Sequence, residues 1–377
     1  MKNLSILLSI YIFVLLTGCA STCMEYRSAT TAARSEKNMK RAEEWALKAL
    51  ESPECNPTTD AHTPYFLATE VYLLQKNYKK MAKMLEIAEK RNPDQLLEHP
   101  FKLGDQSVET ISEGVSAYRE QEWTKIYNKA IDYIQKANIN NSKIDEKKIA
   151  KAQKHLELAI LIYPLKGESY FNLANIFIQK KDTTKALKIV NRGLEIVQTY
   201  SMLYLLKAEL SIQNNEFEVA EESYLNAIEY SDDPGPIMRN LLYVYIDMGD
   251  NQKAIDYANE LTNKYPNDAD IYYNVGVLYQ RMAQEIEEYS KKKYNKLNEM
   301  DTLDVIVIRE VYNDFKQLRK YASFAKDYFY EANDLEEEKN LDTKNAISDM
   351  KRAIKQMDNI FIPSIQEIAR SSRIELD

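Results

Sequence analysis

The chain has 377 residues, a formal net charge of −8 and an isoelectric point near 5.3. This acidic balance lacks the concentrated positive field that nucleic acids and anionic membrane surfaces require, so it excludes a nucleic-acid partner and a polybasic surface role. With only 8 glycines and 10 prolines, the chain is too poor in turn-forming residues for a loop-rich or many-stranded fold, and it predicts long helices.

The first residues have the pattern of an export signal. Lys2 supplies a positive start, and the run from Leu4 to Leu16 is almost wholly apolar. A helix needs about 20 apolar residues to cross the hydrocarbon layer, and this run is shorter. It therefore predicts a signal peptide over 1–18 that is removed after export, not a permanent membrane span.

The residues after this run are Leu16-Thr17-Gly18-Cys19. They resemble the lipobox of bacterial lipoprotein signals, which implies that Cys19 is diacylated and becomes the new N-terminus. Two or three acyl chains would anchor the protein firmly. Ala20 and Ser21 lack the acidic residue that retains enterobacterial lipoproteins in the inner membrane, so the expected place is the outer membrane, facing the periplasm. The alternative is an ordinary secretory signal with an incidental cysteine.

A period of 34 residues runs through the centre of the chain. Within each unit, offsets of 3, 4 and 7 place the repeated residues on one helical face, and short polar turns separate the two helices of a unit. Each helix pair leaves an apolar face that only its neighbour can cover. Three sets of positions keep the period: Tyr170, Tyr204, Met238 and Tyr272; Ala174, Ala208, Leu242 and Gly276; and Ala186, Ala220 and Ala254.

This pattern resembles the tetratricopeptide repeat family, in which a bulky residue, Leu and a small residue on a first helix precede Ala, an aromatic residue and Ala on a second. The resemblance implies an all-α, right-handed solenoid of helix-turn-helix repeats that binds other proteins. Leu242 and Ser211 depart from it. The predicted segments are 19–95 for N-terminal repeats, 96–165 for an irregular joint and a repeat with an inserted loop, 166–282 for the regular array, 283–340 for a long helical hairpin and 341–377 for capping helices.

Two cysteines remain after Cys19. If the first unit is an antiparallel helical pair, Cys23 lies just before its first helix and Cys55 just after its second, so both reach the same end. An exported protein lies where disulfides can persist, and closing a loop of about 30 residues stabilises by roughly 3 to 4 kcal/mol. A Cys23–Cys55 disulfide is therefore predicted. The alternative is two free thiols, as in a poorly oxidising host.

The segment after position 282 departs from the regular period. The alanine position of the next second helix holds Glu288, and the pattern resumes 37 residues late, at Ala325. Apolar residues spaced by 3 and 4, from Tyr279 to Leu297 and from Ile308 to Ala332, indicate an elongated helical hairpin that turns near 298–302. One alternative is a further degenerate repeat packed into the array, and another is an intermolecular coiled coil.

One stripe of each first helix points away from the packing face and is expected to line a concave groove. An amide can both donate to and accept from an extended peptide backbone, and asparagine recurs in this stripe. The alternative is that these asparagines do local structural work. The stripe is mildly acidic, which favours an apolar and partly basic peptide over a C-terminal carboxylate. The candidate groove residues are Asn172, Asn175, Glu209, Asn240, Tyr243, Asn274 and Arg281.

No pattern in the sequence predicts catalysis. His62, His99 and His155 lie far apart without ligand-like spacing, and no phosphate-binding glycine loop, nucleophile elbow or HExxH motif occurs. No metal, cofactor or small-molecule substrate is expected. The predicted function is a non-enzymatic, membrane-anchored adaptor whose groove binds envelope proteins or peptides. The alternative is a constitutive structural subunit of an outer-membrane assembly, secretion or pilus complex, and a third, weaker hypothesis is an enzyme with an unusual site.

Overall fold

The computed structural model describes residues 23–137, 144–297, 304–336 and 341–376. The predicted signal peptide, Cys19, most of the inserted loop after Ala137 and the turn at 298–302 lie outside these ranges. The described chain is overwhelmingly helical, which confirms the all-α prediction. It is organised as two compact units that meet in sequence at Thr199 and Tyr200, a boundary inside the segment 166–282. Within the described part, no helix is both long and apolar enough to cross a membrane.

The N-terminal unit is built from helical pairs interrupted by one small sheet. Asparagine or aspartate caps several of its helices by accepting a backbone N–H, as Asn38, Asn77 and Asp182 do. Its helices are α1 Met24–Arg34, α2 Met39–Ala49, α3 His62–Phe66 with a π-helical continuation Leu67–Tyr72, α4 Tyr78–Arg91, α5 Ile111–Ala137, α6 Glu146–Ile162, α7 Gly167–Gln179 and α8 Thr183–Ile196.

The segment predicted as an irregular joint contains a β-hairpin. Strands β1 Leu96–Leu103 and β2 Gln106–Thr110 pair antiparallel, with an irregularity in the register between Leu96 and Phe101. Gly104 has φ +60°, as a two-residue hairpin turn requires of its first residue. Leu97 and Val108 are buried in the core of the unit. Each strand has a single buried residue and β1 contains Pro100, so apolar and polar residues do not alternate along the sequence. The sequence therefore does not predict the hairpin.

The unit that follows the hairpin has a longer first helix than the 34-residue period predicts. Helix α5 has 27 residues and α6 has 17, and the two pack against each other along the pair. Ala130 and Ala152, the small residues at which the helices approach, are fully buried. Extension of α5 to Ala137 therefore accommodates part of the 13 extra residues that separate this unit from the regular ones.

The C-terminal unit begins with two regular helical pairs. Their small residues Ala208, Ala220 and Ala254 have no exposed surface, so the helices of a pair approach closely at these positions. The unit comprises α9 Ser201–Gln213, α10 Phe217–Glu229, α11 Gly235–Asp247, α12 Asn251–Lys264, α13 Ala269–Leu297, α14 Val305–Leu335, α15 Thr343–Gln356 with a π-helical continuation Met357–Phe361, and α16 Ile362–Ser371.

Helices α13 and α14 form the elongated hairpin, with 29 and 31 residues. Ala325, Phe329 and Ala332 of α14 are fully buried, so α14 serves as the delayed second helix of the fourth regular unit. Tyr289 lies within the spacing of 3 and 4 predicted from Tyr279 to Leu297, but it is 41% exposed and Ser290 is buried instead. The two positions follow 286 by three and four residues, so helical spacing is compatible with burial of either one.

The C-terminal helices pack along this hairpin. The aromatic ring of Phe361 lies with its centroid 5.1 Å from that of Phe315 on α14 and 5.6 Å from that of Tyr294 on α13. Ile365 and Ala369 of α16 are buried in the same core. The predicted capping helices thus cover the hairpin itself.

Gly276 sets the distance between the regular repeat and the hairpin. A Cβ atom built there would lie 2.6 Å from the Phe329 ring, much closer than van der Waals contact. Gly276 stands at the small-residue position of the 34-residue period. Only glycine therefore allows the Phe329 ring to lie against helix α13.

We expect Gly276→Ala to lower the free energy of unfolding by about 1 to 3 kcal/mol, because the added methyl group overpacks this contact. Denaturant unfolding followed by circular dichroism measures the change. Gly235→Ala is the control, since its Cβ would meet only Asp233 Oδ1 at an ordinary 3.7 Å. The double variant Gly276→Ala/Phe329→Leu should recover stability. A Gly276→Ala protein as stable as the wild type would contradict this packing.

A disulfide joins Cys23 and Cys55 in the structure, with their Cα atoms 4.7 Å apart. Cys23 is also the N-cap of α1, where its Sγ accepts a hydrogen bond from the backbone N–H of Tyr26 at 3.2 Å. Both cysteines are buried in the core of the N-terminal unit. The bond closes the first helical pair at the end from which the chain leads back to Cys19.

Whether this bond forms in the exported protein is tested by its effect on stability. Reduction, or Cys55→Ser, should cost roughly 3 to 4 kcal/mol for a loop of this length and lower the thermal midpoint. Reductant should leave the midpoint of the Cys55→Ser variant unchanged. Mass spectrometry without reduction reports the bond directly, and alkylation of both thiols in the native protein would refute it.

Candidate functional site

The predicted groove residues of the N-terminal unit lie on α7 and are half-buried. The Asn172 side-chain amide donates to Tyr127 Oη and to the Glu168 carbonyl, both at 2.9 Å. The Asn175 amide donates to the Phe171 carbonyl at 3.1 Å. Both side chains therefore hold local structure, and Asn172 also links α7 to α5.

The corresponding stripe of α9 in the C-terminal unit is a mixed apolar and acidic surface. Met202 and Glu209 are exposed, and Leu206 between them is buried. Part of the Glu209 side chain is exposed to solvent, and the burial of the rest raises the pKa of its carboxyl group above the usual value. Burial and the nearby Glu209 charge raise the pKa of Tyr224 to about 12. No ion pair to Glu209 is found among the described residues.

Polar contacts connect the stripes of α11 and α13. Tyr243 Oη donates to Asn274 Oδ1 at 2.5 Å, and Asn274 is only 8% exposed. Arg281 forms an ion pair with Asp247 at 2.8 Å. Asn240 is exposed and makes none of the hydrogen bonds that hold this part of the unit together.

The predicted groove residues thus divide into two groups. Asn172, Asn175 and Asn274 stabilise their own helices or a neighbouring helix, which was the alternative left open for the recurring asparagine. Tyr243 and Arg281 belong to the same group, because they bond to Asn274 and Asp247. Asn240 and Glu209 remain available to a ligand. Neither group shows the constellation of a nucleophile and a base that acyl or phosphoryl transfer would need.

A cavity that the sequence did not predict lies at the β-hairpin of the N-terminal unit. Its volume is about 250 Å³. Strand β1 contributes Glu98, His99 and Phe101, whereas the remaining walls come from α1, α3 and its π-helical continuation, and α5. The lining residues include Tyr26, Arg34, His62, Tyr65, Phe66, Glu70, Glu98, His99, Phe101 and Tyr118.

Hydrogen bonds attach the hairpin to the helices around this cavity. Burial alone would raise the pKa of Asp60. Hydrogen bonds from His62, Thr63 and Gln95 outweigh burial and lower this pKa to about 2. Burial opposes the protonated form of His62, but the contacts with Asp60 and the Leu96 carbonyl prevail and raise its pKa. His62 and His99, two of the three histidines, line the cavity.

One group of side chains in the described residues could share a metal ion. It consists of Cys23, Glu25 and Cys55, whose ligand atoms all lie within 4.8 Å of one another. The disulfide uses both sulfur atoms, and a disulfide offers no thiolate to a metal. The group is therefore accounted for by the covalent bond.

The fold and these surfaces define a repeat protein of paired helices. Residues 167–197 match the family model for the tetratricopeptide repeat. This segment is therefore a tetratricopeptide repeat, which agrees with the period and the small-residue positions of the sequence. Subunit 3 of the anaphase-promoting complex from Schizosaccharomyces pombe is 27% identical over 118 residues, which are 31% of this chain and 18% of that protein's length.

Several solved structures match this chain at low identity and with low TM-scores. MamA is 17% identical with a TM-score of 0.36, and the match covers 52% of this chain and 92% of that one. PilF of Pseudomonas aeruginosa is 16% identical with a TM-score of 0.32, covering 69% and 96%. A tetratricopeptide repeat protein from Parabacteroides merdae is 14% identical with a TM-score of 0.32, covering 89% and 99%.

Proposed function

We propose that this protein is a non-enzymatic adaptor of the bacterial cell envelope that binds proteins or peptides through the first-helix stripes of its repeats. Tetratricopeptide repeats are generally non-catalytic interaction scaffolds. The observation that carries the proposal for this chain is the exposed stripe of α9 and α11. Met202, Glu209 and Asn240 of this stripe are exposed, whereas the side chains of the packing faces are buried.

The chemistry of this surface indicates the class of partner. Met202 offers apolar contact, and Glu209 offers a carboxylate whose surroundings already penalise its charge. A basic side chain placed beside Glu209 would offset that penalty, and the Asn240 amide can bond to a peptide backbone. An apolar and partly basic segment of a partner therefore fits this surface best.

The proposed location follows from the start of the sequence. The apolar run and Leu16-Thr17-Gly18-Cys19 support acylation of Cys19 and anchoring to a membrane, with the outer membrane as the proposed site. The chain between Cys19 and Cys23 is only a few residues long. An anchor at Cys19 would therefore keep the first helical pair close to the lipid surface, while acyl chains and not protein would enter the membrane.

The double variant Glu209→Gln/Asn240→Ala should reduce recovery of partner proteins from detergent extracts of the native host by about tenfold. Both side chains are exposed and can be changed without altering the core, and loss of a few central contacts removes much of the binding energy of an interface. Quantitative mass spectrometry of affinity-captured protein measures the effect.

Asn226→Ala is the matched control, because Asn226 is half-buried on the second helix α10, outside the stripe, and its amide bonds only to the Glu222 carbonyl. Its recovery of partners should equal that of the wild type. Unchanged recovery with the double variant would refute binding through this stripe. A partner that never separates from the chain on size exclusion would instead identify a fixed subunit of a larger complex.

Cys19→Ser should move the protein from the membrane fraction to the soluble fraction, because it removes the proposed acylation site. Mass spectrometry of the N-terminal peptide should find acyl chains on Cys19 of the wild type. Cys23→Ser is the control and should stay membrane-bound. An unmodified Cys19 in a soluble, processed wild-type protein would establish an ordinary secretory signal instead.

A further inference from the structure

The cavity beside the β-hairpin lies within the N-terminal unit and shares no residue with the stripe of α9 and α11. It lies where β1 crosses the first helices of the opening repeats. Glu70 follows Tyr65 by five positions, as Asn175 follows Tyr170, so it stands in the stripe that would otherwise face an extended ligand. Strand β1 covers this stripe and leaves a space of about 250 Å³.

Aromatic rings make up much of the cavity wall. Tyr26 and Phe66 are buried and meet edge to face with ring centroids 5.9 Å apart. Tyr118 contacts both Tyr65 and Phe101, each with centroids 6.0 Å apart. These rings come from four separate elements, so the fold assembles them around one space. Aromatic faces carry partial negative charge and attract cations.

The charged groups at the cavity are mostly neutralised by one another. Arg34 donates to both Glu70 carboxylate oxygens, at 2.9 and 2.6 Å. Its remaining Nη1 donates to His99 Nε2 at 2.9 Å, which makes that ring nitrogen an acceptor. The positive charge of Arg34 is therefore matched by Glu70, and the pair adds no net charge to the site.

Glu98 is the carboxylate left without a cation. Its Oε2 accepts a hydrogen bond from Tyr26 Oη at 2.8 Å, and burial and the Glu98 charge raise the pKa of that phenol, so it remains neutral. No Lys or Arg of the described chain lies within ion-pair distance of Glu98. The ring nitrogens of His62 bond elsewhere, because Nδ1 faces Asp60 and Gln95 and Nε2 lies 2.8 Å from the Leu96 carbonyl. The Glu98 charge reaches His62 only through space, where it helps to raise the pKa of that imidazole.

We propose that this cavity binds an organic cation, an ammonium or guanidinium group, between its aromatic rings and the Glu98 carboxylate. Its volume suits one side chain or small amine, and β1 occupies the path that an extended peptide would follow. The source of the cation is either a lysine or arginine side chain that a partner inserts, or a free small amine. Rings supply attraction for the positive charge, and Glu98 fixes its position.

Isothermal titration of the disulfide-intact chain with three probes tests whether binding requires a positive charge on the ligand. N-acetyl-lysine methylamide and cadaverine present the ammonium group as a side chain and as a free amine, and N-acetyl-norleucine methylamide is the neutral analogue. We expect at least one amine to bind about tenfold more tightly than the neutral analogue. Preference for the blocked lysine identifies a protein side chain as the ligand, and preference for cadaverine identifies a free amine.

Two substitutions connect binding to the cavity. Glu98→Gln keeps an oxygen that accepts from Tyr26 but removes the charge, so it should weaken amine binding about tenfold. Phe101→Leu should weaken it too, because it removes a ring at the rim of the cavity. Glu109→Gln is the control, since Glu109 lies on β2 outside the cavity and its Oε1 accepts from the Ser107 hydroxyl. It should bind as the wild type does.

Three results would contradict cation binding in this cavity. Equal affinity for amines and the neutral analogue, no amine binding at about 1 mM, or unchanged binding by folded Glu98→Gln would each overturn the proposal. If Glu98→Gln fails to fold, Phe101→Leu decides in the same way. The test is independent of the α9 and α11 stripe, because failure of one site leaves the partner recovery measured at the other unaffected.

Discussion

The close approach of paired helices at small residues is the constraint on which the rest of the structure depends. Ala174, Ala208 and Ala254 have no exposed surface, and at Gly276 even a methyl group would collide with Phe329. Once two helices meet at such positions, the pair presents an apolar face that needs a covering neighbour. Inside the C-terminal unit, that requirement extends to the long hairpin and to the last helices, which share one core with the repeats.

The sequence alone predicted this close packing of paired helices. A period of 34 residues identified the regular pairs, and the delayed pattern at Ala325 located the second arm of the hairpin. Two features were not predicted correctly from the sequence, each for a local reason. Tyr289 and Ser290 follow Ile286 by three and four residues, so helical spacing alone does not decide which of the two is buried. The β-hairpin could not be predicted because each strand has a single buried residue and Pro100 lies within β1, so neither strand alternates. Tertiary contacts of Gln95, Tyr26 and Arg34 decide its place.

The candidate site was predictable in position but not in detail. Helical offsets identify which residues face away from the packing surface, but not which neighbour a side chain reaches. Asn172 and Asn274 have neighbouring tyrosines as partners, and Asn240, in the same register, does not. The cavity beneath β1 combines residues from positions 26 to 118, and no pattern along the chain brings those positions together. Repetition thus gives the framework, whereas departures from repetition create the features specific to this protein.

The central claim is that the first-helix stripe of the C-terminal unit meets a partner in the cell. Site-specific photo-cross-linking in the native host tests it most directly, with a photoreactive residue in place of Asn240 on α11 and, separately, in place of Asn226 on α10. The account predicts a discrete cross-linked protein from position 240 and none from position 226. The absence of an adduct at 240, or equal adducts at both positions, would contradict it.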